Sequence, residues 1–251
     1  VTLERGKALA EELLKGWEAG ELPVVKVDLA PAKHRIILVD RPEGQQSNIE
    51  MGVRAYDIRS EEKYAGSVAN QVLTGGIDSR LMKYVRAEKG LAYGVHAVFS
   101  PGRQAGSFTG ATETKVPTTG EAIEAMFHVF EGMREQPVRP EELEYARTRV
   151  AGSMVMRMDT IGEQASYRLE GILNSYPIDY YDRYPERIAA VTAQQVEDVM
   201  KRYVDEGRMV IVVVGPAEAV KPQLEKLGEV EVVAMPGRRN AKSEAGVQRP
   251  E

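Results

Sequence analysis

"LTGGIDSRLMKYVRAEKGLAYGVHAVFSPGRQAGSFTGATET", Leu73 to Thr114, is the stretch on which the fold turns. Gly75-Gly76 closes one helical pattern, and a short helix is predicted over about Ser79 to Glu88. Gly90 then breaks the chain. Leu91 to Phe99 and Gly106 to Glu113 follow as two strands joined by a Pro101-Gly102 turn. The helix end and the first strand carry Arg86 and Tyr93, seven positions apart. Two readings of that pair stand side by side. Arg86 is a cation near a helix C-terminus, where the dipole favours it, and Tyr93 packs in a strand. Alternatively, the turn at Gly90 folds Tyr93 back beside Arg86, and a planar cation and a hydroxyl face one ligand. Such donors suit a peptide carbonyl, a carboxylate or a developing oxyanion.

Upstream, Arg35 to Asp40 is a short strand, and Ser47 to Ala55 alternates. Ile49, Met51, Val53 and Ala55 share one face; Asn48, Glu50 and Arg54 share the other. Ser60 precedes a helix with Tyr64, Ala65, Val68, Ala69, Val72 and Leu73 inward. Downstream, Glu121 to Arg134 is a helix burying Ile123, Met126, Phe130 and Met133, and Pro140 opens another. Thr160 with Glu163, and Thr192 with Gln195, form capping boxes before two more. Met209 to Gly215 is expected as a buried strand, Ala217 to Leu227 as a helix and Val230 to Val233 as an edge strand. Strands come early, helices follow in a row, and strands return. The expected class is α+β, a mainly antiparallel sheet with helices packed on one face. Leu3 to Trp17 is a further helix with Leu9, Leu13, Leu14 and Trp17 on one stripe, followed by a segment with Pro23 and Pro31. The expected organisation is therefore a helix and linker over 1–31, one domain over 32–235, and a polar, disordered tail over 236–251.

The bulk properties exclude several functions. A net charge of −5, from 33 basic and 38 acidic residues, argues against nucleic acid or an anionic membrane as main partner. With no cysteine there is no disulfide, thiolate metal site or cysteine nucleophile. The longest apolar run, Met209 to Val214, is far too short to span a bilayer, and a soluble cytoplasmic or periplasmic protein is expected. The chain does not begin with Met, and is expected to be a processed or trimmed piece of something longer. His34, His96 and His128 are scattered, with no second histidine at metal-ligand spacing. "HVFEG", from His128, matches four positions of the H-x-x-E-H zinc-protease pattern, but Gly132 stands where the second histidine belongs. His128 and Glu131 are thus expected to be an ordinary helix pair. "TGGIDSRL" lacks the G-K-[ST] ending of a phosphate loop and is expected to be a helix cap and tight turn.

The quoted stretch resembles the second half of the insulinase-type zinc metallopeptidases, the family of pitrilysin and the mitochondrial processing peptidases. The glycines, Ser79-Arg80-Leu81, Arg86 and Gly90-Leu91-Ala92-Tyr93 fall at the family's spacing. "VDRPEGQQSNIEMG" is similar to its opening hairpin, and "ERIAAVTAQQVEDVMKRYV" with "MVIVVVGP" to its closing helix and strand, so the resemblance runs from about Arg35 to Pro216. Thr74, Ile77, Asp78 and Val85 depart from the usual residues. The resemblance implies a fold of two homologous halves, of which one carries the H-x-x-E-H zinc site and the other supplies Arg86 and Tyr93. It implies no metal or cofactor in this chain, zinc in a partner half that is fused or separate, and a peptide substrate held by Arg86 and Tyr93, which also stabilise the oxyanion. It makes residues 1–31 the last helix and linker of a preceding half. The chain alone is then inactive, with partly exposed apolar faces and self-association in isolation. The alternative within the same resemblance is a structural or assembly subunit like the core proteins of respiratory complexes.

Overall fold

The computed structural model describes residues 2–18, 20–21 and 33–235. The expected linker from 22 and the polar tail from 236 lie outside the described residues. Helix α1 spans Leu3–Leu13, and strands β1 and β2 span Arg35–Asp40 and Gln46–Ala55. Helix α2, Glu62–Thr74, leads through a short turn to a π-helix, Met82–Glu88. Strands β3, Ala92–Ser100, and β4, Gly106–Lys115, follow as a hairpin. Five helices come next: α3 Thr119–Glu135, α4 Pro140–Arg157, α5 Ile161–Leu173, α6 Tyr180–Ala189 and α7 Ala193–Tyr203. Strand β5 Val210–Gly215, helix α8 Ala217–Leu224 and strand β6 Val230–Ala234 close the domain.

The six strands form one sheet in the order β3-β4-β2-β5-β1-β6. Three of its five pairings, β2 with β4, β2 with β5 and β3 with β4, are antiparallel. Strand β1 lies parallel to β5 and to β6. The β2 alternation decides which face is covered. Ile49, Met51 and Val53 are buried, with Phe99 and Phe108 from the hairpin, Ile211 and Val213 from β5, and Ile36 and Leu38 from β1. Helices α2, α3, α7 and α8 cover this face with Val68, Leu73, Met126, Phe130, Met200 and Val220, all at most a few per cent exposed. Each such aliphatic or aromatic side chain contributes about 1.5–3 kcal/mol on full burial. Among the described residues nothing covers the opposite face of the sheet, and Asn48, Glu50, His96 and Glu113 stand on it. The α+β class, the mainly antiparallel sheet and the one-sided helical layer all match expectation.

Several elements differ from the sequence reading. Helix α1 stops at Leu13 rather than Trp17 and buries none of its residues. Strand β5 is not buried on both faces: Ile211 and Val213 point into the core while Val212 and Val214 look onto the bare face. Helix α6 is an element the sequence reading did not place; Pro185 within it removes one ladder donor. It forms because Tyr181 and Ile188 bury. Both capping boxes are present, at Thr160–Glu163 and Thr192–Gln195. Among the described residues no helix is long and apolar enough to cross a membrane.

Candidate functional site

Three local devices bring Arg86 and Tyr93 together. The first is the π-helix, an unusual widening of the helical ladder that is often found at functional sites. Its wider repeat appears in the Lys89 N–H, which donates to the Tyr84 carbonyl at 3.0 Å, five residues back. Val85 and Leu81 anchor it, both fully buried, which leaves Arg86 at its C-terminal end and half-buried. The second is Gly90, whose φ of +64° reverses the chain in a region that side chains disfavour. The Leu91 N–H then closes the turn onto the Val85 carbonyl at 3.0 Å.

The third device is a β-bulge. Ala92 pairs with Thr114 and Val95 with Thr112, so Tyr93 and Gly94 together stand opposite the one residue Glu113. Ala92 and Val95 point to the helical side, and both bulged residues are pushed to the bare side. Tyr93 is 87% exposed as a result. Two threonines hold the distorted strand: Thr112 Oγ1 donates to the Gly94 carbonyl at 2.8 Å and Thr114 Oγ1 to the Leu91 carbonyl at 2.6 Å. Further along the same edge, α2 covers β3. The Asn70 amide exchanges two hydrogen bonds with the Phe99 peptide, at 2.7 and 3.0 Å, and Thr74 Oγ1 donates to Ala97 O at 3.3 Å.

The outcome is a cation–π pair. The Arg86 guanidinium carbon lies 4.7 Å from the centre of the Tyr93 ring. Among the described residues Arg86 has no carboxylate within salt-bridge range, and the Tyr93 hydroxyl has no hydrogen-bond partner. Both therefore keep their donors free. Beside them a cleft of about 650 Å³ runs along the bare face of the sheet, lined by Tyr93, His96, Asn48, Glu50, Glu113 and Val212. Sequence reasoning did not single out His96, Glu50 or Glu113 as neighbours of Tyr93. The β2 alternation placed Glu50 on the polar face, but the cross-strand register that sets His96 and Glu50 on either side of Ala111 is not legible in one chain.

Arg80, from the Ser79-Arg80-Leu81 motif, has a structural task. Its Nε and one terminal nitrogen donate to the two Glu142 oxygens, each at 3.0 Å, and Arg139 adds a bond at 3.2 Å. The start of the π-helix is thereby tied to the first turn of α4. Burial pushes the Glu142 carboxyl up, but Arg80 and then Arg139 outweigh it and hold it below the ordinary carboxylate range. A carboxyl lowered on folding stabilises the protein fully above its unfolded pKa of about 4.3, and that contribution is lost as pH falls through the folded value. Arg80→Ala is expected to cost about 1–2 kcal/mol at pH 7 in urea unfolding. The gap to wild type should close as Glu142 protonates in acid; a gap independent of pH would show that the ion pair is not its source.

The other residues singled out in the sequence go elsewhere. Gly75 ends α2 and Gly76 takes φ +142°, the cap and turn expected of "TGGIDSRL". His34 Nδ1 lies 3.0 Å from the Glu206 carbonyl oxygen. The His128 ring packs against Tyr84 with centres 4.6 Å apart. His128 and Glu131 do not fit a zinc ion. They lack a third ligand, and among the described residues no three His, Asp or Glu side chains cluster to hold a metal.

A helix-backed mixed sheet thus carries the glycine turn and the exposed Arg86–Tyr93 pair at one edge. The sequence profile of the peptidase M16 inactive domain matches residues 1–150, more than half of the chain, and the chain belongs to that family. An uncharacterized zinc protease of Bacillus subtilis is 26% identical over 136 residues, covering 54% of this chain and 33% of the relative. The peptidase M16 inactive domain structure from Pseudomonas fluorescens superposes with a TM-score of 0.78 at 24% identity, covering 86% of this chain and 52% of that one. A chain in the Candida albicans complex III structure shares the fold with a TM-score of 0.67 at 14% identity, covering 89% of this chain and 56% of that one. The chain thus spans a third to about half of the length of these relatives.

Proposed function

We propose that this domain is the non-catalytic, substrate-binding half of an M16-type zinc endopeptidase. The observation that carries the reading is the Arg86–Tyr93 cation–π pair, with Tyr93 raised on a bulged edge strand and both sets of donors unpaired among the described residues. Zinc and the water it activates belong, on this reading, to the partner half, fused or separate. The residues of this chain act on the peptide. Tyr93 donates its hydroxyl proton to a substrate carbonyl, and Arg86 directs its fork of N–H donors at the same backbone. Both bonds strengthen as the carbonyl oxygen gains charge, so they act chiefly on the transition state. The ring within cation–π distance restrains the guanidinium, which reduces the entropy lost when substrate binds.

The test is zinc content and peptide hydrolysis, measured on this chain alone and with the H-x-x-E-H-bearing half. Zinc and turnover are expected only when that half is present. Stoichiometric zinc or turnover in the isolated chain would overturn the assignment. The likeness to a chain of complex III favours a second reading, an assembly subunit without peptidase role. The two part at the gene: an H-x-x-E-H in the same or an adjacent reading frame supports the peptidase, and its absence from both supports the scaffold.

A further inference from the structure

We propose that helix α5, with the end of α4, is the surface on which the zinc-bearing half docks; this rests on the functional reading above and adds where the two bodies meet. Helix α5 is amphipathic in the wrong sense for its own domain. At about 100° per residue, Ile161, Ala165, Leu169, Ile172 and Leu173 share an arc of about 120°. The two residues of the helix that are not exposed are Tyr167 and Gly171. The Tyr167 ring meets Tyr181 at 5.2 Å between centres, and a Cβ on Gly171 would sit 3.4 Å from the same ring. These attachments project about 180° away from the middle of the apolar arc.

The stripe therefore faces outward, with Ile161 87% and Ile172 75% exposed. A surface helix ordinarily turns its apolar stripe to its own core. Here nothing among the described residues lies on that side, and thirteen residues hold a helix poorly by themselves. The helix is nevertheless preformed. The Thr160–Glu163 box starts it, Arg103 donates to the Leu173 carbonyl at 3.1 Å, and Arg168 donates to the Ile178 carbonyl at 2.7 Å. A tethered, rigid helix with its apolar side presented outward is built for docking.

Size selects the occupant. Val155 and Met156 at the end of α4, and Ile178 beyond α5, are exposed as well. With the α5 stripe they make a run of exposed apolar side chains between 155 and 178, more than scattered single surface residues. A second copy paired helix to helix would cover only the α5 stripe, about 20 Å long. The Bacillus subtilis and Pseudomonas fluorescens relatives, of which this chain covers 33% and 52%, carry at least about as much chain again. A second domain of that size can cover the whole patch. Helix α1, which buries nothing here, needs cover of the same kind.

The experiment uses this chain and the H-x-x-E-H-bearing half as two polypeptides. Binding is measured by calorimetry, and hydrogen exchange reports on the α5 amides. Wild type should bind and slow α5 exchange. The double variant Ile161→Asp, Ile172→Asp changes exposed side chains only; it should keep its circular dichroism and thermal midpoint and bind about 100-fold or more weakly. Arg86→Ala should bind as wild type, since that residue lies in the site and not in the interface. Unchanged affinity in the double variant would overturn the surface and leave the functional reading standing. So would a variant that only breaks a dimer of the isolated chain, which would make a second copy the occupant. No binding by wild type would sink the functional reading and the surface together.

Discussion

Arg86→Ala in the complete, zinc-loaded protein is expected to lower kcat/KM tenfold or more, at least about 1.4 kcal/mol of transition-state stabilisation. The upper end is set by loss of one oxyanion donor, about 2–4 kcal/mol. The argument rests on what Arg86 does not do. It holds no carboxylate among the described residues, and its guanidinium carbon lies 4.7 Å from the centre of the exposed Tyr93 ring. A cation placed only to satisfy a helix C-terminus would contribute about 0.3–1 kcal/mol to stability and nothing to turnover. The two roles therefore separate by readout. If Arg86 acts on the transition state, kcat and kcat/KM fall together while the thermal midpoint barely moves. Arg86→Lys should restore the charge without the activity, because an ammonium lacks the planar fork. Tyr93→Phe keeps the ring beside the guanidinium and removes one donor, so it too should cost tenfold or more, with Arg86 still held in place. Wild-type turnover in both Arg86→Ala and Tyr93→Phe, at normal zinc content, would remove the pair from the mechanism.

How far the sequence carried depends on what kind of physics fixed each element. Strand β2 was legible because period-two alternation is a direct print of one buried and one bare face, and Ile49, Met51 and Val53 are indeed buried. The capping boxes at Thr160 and Thr192 were legible because both partners lie within one turn of chain. What failed depends on contacts distant in sequence. The same alternation in β5 was missed because all six residues from Met209 to Val214 are apolar, and hydrophobicity alone does not say which side a helix will cover. The bulge at Tyr93-Gly94 is set by register against Thr112 and Thr114, which no local propensity encodes. The π-helix belongs to the same class: its extra residue is absorbed so that Leu81 and Val85 bury while Gly90 still turns the chain. So Arg86 and Tyr93 were legible as a pair through the family resemblance, and the devices that join them were not. The stripe on α5 is the opposite case. Its period was plain in the sequence, and inward burial would have been the default inference, yet Leu169 and Leu173 are exposed.

Phe108→Ala is expected to cost about 3–5 kcal/mol of stability. Phe108 is fully buried and stands opposite Phe99 in the β3–β4 register, with ring centres 4.7 Å apart. On its other side it meets the Phe130 ring edge-on at 5.1 Å, which joins the hairpin to α3. Removing the ring empties the junction between the edge strand and the helical layer. The backbone there has little room to collapse, since Gly110 on the same strand already lies against Met126 and Phe130. A loss of that size is a large share of the ~5–15 kcal/mol that holds an ordinary domain folded. The measurement is urea unfolding, where the midpoint should fall with the slope unchanged. Phe108→Leu keeps most of the volume and should lose far less. Because β3 carries Tyr93, the truncated variant should also lose activity below its unfolding midpoint, whereas Phe108→Leu keeps it. A loss under about 1 kcal/mol in Phe108→Ala would mean that β3 is anchored elsewhere, and the scaffold argued here for the Arg86–Tyr93 pair would not hold.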